Sequence, residues 1–227
     1  MKLCVIIPTF NESKAIGGII STICKLGLDV LVVDDGSNDN TAEIAGVGGA
    51  TVIKNKANKG KGAALAAGFH YALDKGMEAV ITMDGDGQHS PKDIPVFLSA
   101  IPNSNSGIII GNRMSKKRNM PLLRVLTNKF MSRLISSIVK QEIPDTQCGF
   151  RLIKSDVLRI LNLRTCKYDT ESEILIKAAR SGFKIESVPI DSIYRGEKSK
   201  INPLIDSIRF FKLIIRELWI NLRLRKH

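Results

Sequence analysis

The sequence predicts an α/β fold in which a mostly parallel central sheet is covered by helices. Short runs that are nearly continuous in Val, Ile and Leu alternate with longer segments of helical periodicity, as expected for strands buried on both faces. The predicted strands are residues 3–7, 30–33, 51–53, 79–83 and 107–110, and the predicted helices are 12–26, 41–46, 60–75 and 92–101. Because helices join consecutive strands, we expect right-handed crossovers and a ligand site at the carboxyl ends of the strands.

Length and composition are those of one large globular domain. The chain has 227 residues, of which 44% are hydrophobic and 25% are charged, so a disordered or collagen-like chain is excluded. The four cysteines are scattered without a C-x-x-C pair, which argues against a disulfide framework or a zinc site and favours a reducing compartment. The apolar run at the N-terminus is too short for a signal peptide, and we expect no membrane-spanning helix.

The strand LCVII runs into residues 8–12, VLVV into residues 34–37, and AVITM into residues 84–89. These three strand ends gather five carboxylates at one edge of the predicted sheet: Glu12, Asp34, Asp35, Asp84 and Asp86. Any single turn of this kind could merely end a strand or cap a helix. Like charges at one edge repel each other, however, so together they indicate a site for a cation or a donor-rich ligand.

The turn D-G-D-G-Q at residues 84–88 is the best metal candidate. Asp84, Asp86 and Gln88 present hard oxygen ligands that suit Mg²⁺ or Mn²⁺, and the two glycines leave room for a diphosphate. The fingerprints G-x-G-x-x-G and G-x-x-x-x-G-K-[ST] are both missing, which argues against dinucleotide-dependent and P-loop enzymes. The segment N-K-G-K-G at residues 58–62 is a weak phosphate-loop candidate, and a solvated helix start explains it equally well.

Charge divides the chain into two unlike halves. Residues 1–112 hold nine lysines and eleven acidic residues, whereas residues 113–227 hold 25 basic and eleven acidic residues. Residues 94–141 contain no acidic residue at all. Their basic residues are Arg113, Lys116, Lys117, Arg118, Arg124, Lys129, Arg133 and Lys140. This excess of positive charge favours a partner that carries phosphate groups or an anionic surface.

Six segments, in their order and spacing, resemble family 2 glycosyltransferases with the GT-A fold. They read VIIPTFNES, VLVVDDGSNDNT, NKGKGAALAAGF, MDGDGQHSPKDI, GNRM and DTQCGFRLIKSDV. The branch of that family that these segments resemble contains the dolichol-phosphate mannosyltransferases and dolichyl-phosphate glucosyltransferases. The resemblance covers roughly residues 3–200, and the pairing of DDGS with DGDGQH is its most specific part.

The resemblance implies a role for each matching position. It places Pro8, Phe10, Glu12 and Asp35 around the nucleoside, and Asp84, Gly85, Asp86 and Gln88 around a metal ion and the donor diphosphate. Asp86 and Gln88 are the expected direct ligands of Mg²⁺ or Mn²⁺. Phosphate contacts are expected from Arg113, Arg124, Arg195 and Lys200, and the catalytic set from Asp86, Asp145 and Arg124. Residues 194–200 resemble the family's Arg…Gly-Glu-Ser-Lys segment, but Lys198 interrupts it.

The predicted reaction transfers a sugar from a nucleotide-sugar of the GDP-mannose or UDP-glucose type to dolichyl or undecaprenyl phosphate. A phosphomonoester is already a nucleophilic dianion near neutral pH, because its second pKa is about 6, so it needs positive charge rather than a base. Asp145 follows Pro144 where relatives with hydroxyl acceptors place a base. We predict a positioning role for it, and a turn cap is the alternative.

Two segments interleave apolar and basic residues on helical spacing and predict contact with a membrane surface. Residues 119–139 are the first, and residues 203–227, with one apolar face and one basic face, are the second. We therefore divide the chain into a catalytic domain at 1–202 and a basic amphipathic helix at 203–227, bound peripherally at the cytoplasmic face, with a membrane protein as a possible partner. Docking of either helix on the domain core is the alternative.

Other functions fit the sequence less well. A family 2 enzyme acting on a hydroxyl of a soluble or cell-surface glycan would need a base and would gain nothing from the basic tail. A nucleic-acid-binding protein would suit the pI of about 9.7, but recognisable motifs are missing and the basic residues alternate with aliphatic rather than aromatic residues. A nucleotidyltransferase would carry a glycine-rich basic loop after the first strand, where this chain has P-T-F-N-E-S.

Overall fold

The computed structural model describes residues 1–115, 120–165, 169–191, 193, 210 and 212–217. Its strands are β1 (Leu3–Thr9), β2 (Asp29–Asp34), β3 (Thr51–Lys54), β4 (Ala79–Thr82), β5 (Ile108–Asn112), β6 (Arg151–Lys154) and β7 (Ile185–Pro189). Its helices are α1 (Ser13–Cys24), α2 (Thr41–Val47), α3 (Lys61–Asp74), α4 (Ile94–Ala100), α5 (Leu122–Val139), α6 (Ser155–Ile160) and α7 (Thr170–Arg180). Every strand and helix predicted in the first 110 residues is present within a few residues of its expected bounds.

The seven strands form one mixed sheet in the order β3-β2-β1-β4-β6-β5-β7. Strands β1 to β4 pair with one another in parallel, as the alternation of strands and helices predicts. Strand β6, which the sequence analysis did not identify, runs antiparallel between β4 and β5. The parallel half brings the turns after β1, β2 and β4 to one edge, and this edge carries the carboxylates singled out above.

The core forms where the helices cover the central strand. All seven residues of β1 are buried, as are Ile16, Ile19, Ile20 and Ile23 on one face of α1. Their spacing of three and four residues is that of a single helical stripe. Helix α3 packs closely on β1 at Gly68, where an added Cβ atom would lie 2.6 Å from Cγ2 of Ile6.

Helix α5 buries a face that mixes apolar and polar residues and exposes several large apolar side chains to solvent. Its buried residues are Val125, Asn128, Ser132 and Ile135. Its exposed apolar residues are Leu122, Leu123, Leu126 and Phe130, which keep between 57% and 74% of their surface accessible. Helix α5 thus docks on the domain through one face while a second, apolar face remains exposed.

The described part of the predicted C-terminal helix packs against the domain. Residues 212–217 are helical, and Leu213, Ile214 and Glu217 are buried, whereas Ile215 is exposed. Arg180 at the end of α7 forms a salt bridge with Glu217. The proposed boundary near residue 202 and most of 203–227 lie outside the described residues. Among the helices of the described ranges, none is both long enough and apolar enough to cross a bilayer.

The close approach of α3 to β1 predicts opposite effects of alanine at two helical glycines. Gly68→Ala should lower the free energy of unfolding by about 1–3 kcal/mol, because the new methyl group would overlap the β-branched Ile6 in a packed core. Gly18→Ala is the matched control, since no atom lies within 4 Å of the added Cβ atom on α1, and it should raise stability by about 0.5–1 kcal/mol. Urea denaturation measures both, and equal effects would contradict the packing described.

Candidate active site

The turns after β1 and β2 are bound to each other by hydrogen bonds. The backbone N–H of Asn11 donates to Oγ of Ser37 over 2.9 Å, and the N–H of Asn38 donates to Oδ1 of Asn11 over 2.9 Å. The N–H of Glu12 donates to Oγ1 of Thr41 over 2.8 Å. Asn11 adopts a left-handed backbone conformation with φ of 56°, which Asn tolerates better than most residues. Phe10 and Glu12, predicted to line the nucleoside site, therefore lie on a braced loop.

The carboxylate of Asp35 is bound by donors of the protein itself. Its carboxylate accepts hydrogen bonds from Nδ2 of Asn55 at 2.8 Å, from the N–H of Lys59 at 3.0 Å and from the N–H of Gly60 at 2.6 Å. These bonds fix the start of α3 against the end of β2. A contact between Asp35 and a nucleoside stays a prediction, since the oxygens already have partners.

An open cavity of about 340 Å³ lies beside Asp35. Its lining residues are Gly36, Ser37, Asn38, Lys54, Asn55 and Lys56. Hydroxyl, amide and ammonium groups thus border the space next to the predicted nucleoside residues. This surface is suited to the polar groups of a nucleoside, although Pro8 itself is buried in β1.

The turn after β4 is folded tightly onto β1. An added Cβ atom at Gly85 would lie 2.7 Å from Cγ2 of Thr9, so only glycine fits there. Gly87 has a φ of 76°, in the left-handed region, and the N–H of Gln88 donates to Oδ1 of Asp86 over 2.9 Å. The two glycines therefore allow the turn to present Asp86 and Gln88 at the sheet edge.

Asp86 lies in surroundings that disfavour its anionic form. Burial raises its pKa to about 6, and the negative charges of Asp84 and Glu12 act in the same direction. A bound divalent cation would relieve both effects, so the oxygen donors of Asp86 and Gln88 fit Mg²⁺ or Mn²⁺. The described residues contain no group of three or more His, Cys, Asp or Glu side chains placed to hold a metal, so water and phosphate oxygens would have to complete the shell.

Asp84, in contrast, has a cationic partner within the protein. Nζ of Lys61 lies 2.5 Å from Oδ1 of Asp84 and 2.5 Å from Oε1 of Glu171. Burial alone would raise the pKa of the Asp84 carboxyl, but the Lys61 ammonium holds it well below its usual range. Neither partner is predicted from the sequence, since N-K-G-K-G is only a weak phosphate-loop candidate and no motif marks Glu171.

His89 supports this turn from beneath. The N–H of Asp84 donates to Nδ1 of His89 over 3.3 Å, which places the ring proton on Nε2, 3.8 Å from Sγ of Cys148. The ring also packs against Phe150 at a centroid distance of 5.4 Å. Burial lowers the pKa of His89 to about 4, so the imidazole is neutral near pH 7. His89 is a positioning residue that the sequence analysis did not select.

Asp145 and Arg113 form a buried bidentate ion pair. Nε of Arg113 lies 2.7 Å from Oδ2 of Asp145, and Nη2 lies 2.9 Å from Oδ1. Nδ2 of Asn128 on α5 donates to the same carboxylate over 2.7 Å. Although burial alone would raise the pKa of Asp145, the Arg113 guanidinium and these hydrogen bonds hold it below its usual range.

The pair bears on two of the predicted roles. Asp145 is fully buried and fully hydrogen-bonded, which argues against a general base and agrees with the positioning role. The guanidinium of Arg113 is directed at Asp145, so a contact between Arg113 and a phosphate stays a prediction. The pair as a whole carries no net charge.

The remaining predicted phosphate ligands are placed only in part. Arg124 lies on the first turn of α5, one helical turn before Asn128 and therefore on the same side of the helix. Arg195 and Lys200 lie outside the described residues. The N–H of Ile193 donates to the carbonyl of Gln88 over 2.9 Å, so residue 193 lies beside the turn at residues 84–88.

Comparison with known proteins gives a consistent assignment. Residues 4–161 match the model of Glycosyl transferase family 2. The chain is 32% identical to the UDP-N-acetylglucosamine–dolichyl-phosphate N-acetylglucosaminyltransferase of Methanococcus voltae, over 83% of this chain and 84% of that protein. It is 30% identical to the undecaprenyl-phosphate mannosyltransferase of Micrococcus luteus, over 86% of this chain and 85% of that protein.

A solved structure shares the architecture. The complex of glucosyl-3-phosphoglycerate synthase from Mycobacterium tuberculosis with Mn²⁺, UDP and glucosyl-3-phosphoglycerate superposes with a TM-score of 0.72 at 19% identity. The similarity covers 96% of this chain and 78% of that chain. The predicted GT-A type of α/β fold is thereby confirmed.

The buried pair predicts a large loss of stability when one partner is removed. Asp145→Asn keeps the shape of the side chain but leaves the Arg113 charge uncompensated, so the free energy of unfolding should fall by about 3–5 kcal/mol. Asp156→Asn is the control, because Asp156 pairs with Arg159 on the surface, and its effect should stay within about 0.5 kcal/mol. Urea denaturation of both variants at neutral pH measures the difference, and similar midpoints would contradict the described pair.

Proposed function

The chain belongs to Glycosyl transferase family 2 and is a glycosyltransferase, and from this premise we propose that it transfers a sugar to a polyprenyl phosphate at a membrane surface. The donor is a nucleotide-sugar of the GDP-mannose or UDP-glucose type. The acceptor is dolichyl or undecaprenyl phosphate, and Mg²⁺ or Mn²⁺ assists the transfer. The names of the two relatives, which both specify a polyprenyl phosphate, support this choice of acceptor.

The observation that carries the proposal is the state of Asp145. A hydroxyl acceptor needs a base within hydrogen-bond reach of its proton, and the residue expected to supply one is buried and paired with Arg113. A phosphate acceptor needs no base, since it is already a dianion for much of its population near pH 7. The structure is therefore better suited to a phosphate nucleophile than to a hydroxyl.

In the proposed reaction an oxygen of the lipid phosphate attacks the anomeric carbon of the sugar. The bond between that carbon and the nucleoside diphosphate breaks, the diphosphate leaves with the electron pair, and the anomeric configuration is inverted. Asp86 and Gln88 would hold the cation, which when bound stabilises negative charge on the leaving group. The Arg113–Asp145 pair keeps Asn128 and helix α5 in register with the sheet edge, and Arg124 adds positive charge one turn away.

Helix α5 supports contact with a membrane. Its exposed apolar residues Leu126 and Phe130 lie beside Lys129 and Arg133, which are also exposed. Apolar side chains flanked by basic ones are typical of helices that lie in the interface of an anionic bilayer. Because Asn128 on the opposite face binds Asp145, this helix would place the candidate active site next to the membrane surface. Peripheral binding at the cytoplasmic face follows as part of the proposal.

A transfer assay with a panel of donors and acceptors tests the function. We expect sugar from one or more labelled GDP- or UDP-sugars to appear in dolichyl or undecaprenyl phosphate, and excess EDTA should abolish the transfer. Asp86→Asn should reduce the rate at least about 100-fold, because it removes a ligand of the charge-stabilising cation. Asp74→Asn, at the exposed end of α3, is the control and should keep full activity.

Two outcomes of this assay would contradict the proposal. Full activity in excess EDTA, or full activity of the Asp86→Asn variant, would show that the reaction does not need a cation at this turn. Transfer to 3-phosphoglycerate or to a glycan hydroxyl, with none to lipid phosphate, would assign the enzyme to a different acceptor class.

The exposed face of α5 predicts a specific loss of membrane binding. The double variant Leu126→Gln/Phe130→Gln should sediment much less with anionic liposomes, because it removes apolar surface worth about 1.5–3 kcal/mol per buried side chain. Its melting temperature should be unchanged, since both residues are exposed. Val47→Gln on α2 is the control, as Val47 is also apolar and exposed. Unchanged sedimentation of the double variant would exclude α5 as the membrane contact.

A further inference from the structure

The contact of Lys61 with Asp84 and Glu171 is assembled from four separate parts of the chain. Lys61 begins α3, Asp84 follows β4, Glu171 lies in the first turn of α7, and Gly149 precedes β6. An added Cβ atom at Gly149 would lie 2.9 Å from both Oδ1 of Asp84 and Nζ of Lys61. The absence of a side chain at this position is thus what allows the ion pair to close.

Glu171 is held rigidly in this arrangement. Nη1 of the buried Arg151 donates to its backbone carbonyl over 2.7 Å, and its own side chain is almost fully buried. Oε1 binds Lys61, whereas Oε2 is buried without a hydrogen-bond partner. Leaving a buried carboxylate oxygen unpaired costs free energy. The position of Glu171 is therefore not the one that would best stabilise the fold, which favours a functional role for its contact with Lys61.

The placement of the Lys61 ammonium matters for the cation. It lies against Asp84, and Asp84 belongs to the same turn as the predicted ligands Asp86 and Gln88. An ammonium in contact with one carboxylate of the turn repels a divalent cation from the whole turn and competes with it for Asp84. In the absence of donor, the side chains available to a cation are therefore mainly Asp86 and Gln88. These are two ligands, whereas Mg²⁺ prefers six.

We propose that Lys61, tethered by Glu171, is an internal counter-ion of the Asp84–Asp86 turn that makes divalent-cation binding depend on the diphosphate of the donor. The diphosphate brings negative charge and oxygen ligands that outweigh the repulsion by Lys61. The cation and the nucleotide-sugar then bind as a unit, and the free enzyme does not accumulate a cation alone. This inference rests on the cation of the proposed function and makes Lys61 and Glu171 positioning residues.

Binding of Mn²⁺ to the full chain, measured by electron paramagnetic resonance with and without UDP or GDP, tests the proposal. Wild-type protein should bind Mn²⁺ weakly alone and much more tightly with one of the nucleotides. Lys61→Met should bind Mn²⁺ alone at least about tenfold more tightly than wild type, because a positive charge is removed and Asp84 becomes available. The gain from adding nucleotide should shrink accordingly, since the two ligands are thermodynamically coupled.

Matched variants separate this role from a general charge effect. Lys59→Met removes an exposed lysine two residues away and should leave Mn²⁺ binding unchanged. Glu171→Gln keeps the lysine but removes its tether charge, so it should weaken Mn²⁺ binding, the opposite of Lys61→Met. Lys61→Arg, which retains the positive charge, should stay close to wild type in the absence of nucleotide. A thermal melt of each variant verifies that it is folded.

Several outcomes would overturn the proposal. The first is that Lys61→Met and wild type bind Mn²⁺ with equal affinity when nucleotide is absent. The second is that Lys59→Met changes Mn²⁺ affinity as much as Lys61→Met does. The third is that Glu171→Gln binds Mn²⁺ as tightly as wild type or more tightly. The last measurement decides alone if Lys61→Met does not fold. The binding experiment contains no lipid acceptor, so a failure of lipid transfer would not affect its result. A lack of Mn²⁺ binding in every variant with either nucleotide would overturn both this inference and the cation of the proposed function.

Discussion

Compensation of buried carboxylates organises the ligand-binding edge of this protein. A carboxylate removed from water is costly unless donors or cations surround it. Asp34 accepts the N–H and hydroxyl of Ser37, Asp35 accepts three groups from residues 55–60, and Asp145 accepts Arg113 and Asn128. The donors to Asp35 and Asp145 come from distant segments, so each of these two acids also ties two parts of the chain together. The same interactions that make the acids tolerable therefore define the shape of the site.

Asp86 departs from this rule, and its departure locates the chemistry. Lys61 neutralises Asp84 and three donors surround Asp35, whereas Asp86 receives the backbone N–H of Gln88 and faces the negative charges of Asp84 and Glu12. Perturbed carboxylates of this kind concentrate at functional sites, where a ligand completes the balance. Under the function proposed above, that ligand is a cation accompanied by the diphosphate of the donor. An external ligand of this kind would stabilise the anionic form of Asp86, which its protein surroundings disfavour.

The first half of the fold could be predicted because its signals are local. Strands such as Ile108–Asn112 are short apolar runs bounded by turns, and consecutive elements are neighbours in space. Strand β6, with the sequence R-L-I-K, is only four residues long, and its antiparallel place between β4 and β5 depends on long-range pairing. Strand β7, at the edge, is half exposed and contains Glu186 and Pro189, so it lacks an apolar run.

The candidate site was predictable to the same extent. Residues within one turn, such as Asp86 and Gln88, could be grouped by spacing alone. The contacts of Lys61 with Glu171 and of Asp145 with Arg113 join positions far apart in the chain, and no periodicity records them. The sequence likewise shows Arg113 only as one cation of a basic segment, whereas its buried pairing with Asp145 depends on the fold.

Helix α5 carries polar residues that folding requires inside and apolar residues that folding does not require outside. On an ordinary surface helix, polar replacements are accepted outside and apolar ones inside. Here Asn128 and Ser132 face inward beside Val125 and Ile135 as parts of a hydrogen-bond network, so an aliphatic residue at either position would leave buried polar groups without a partner. Leu126 and Phe130 face outward, where folding does not require them. Selection for folding would therefore preserve the polar Asn128 and Ser132 on the inner side of the helix. Selection for binding to an external surface would preserve the apolar Leu126 and Phe130 on its outer side.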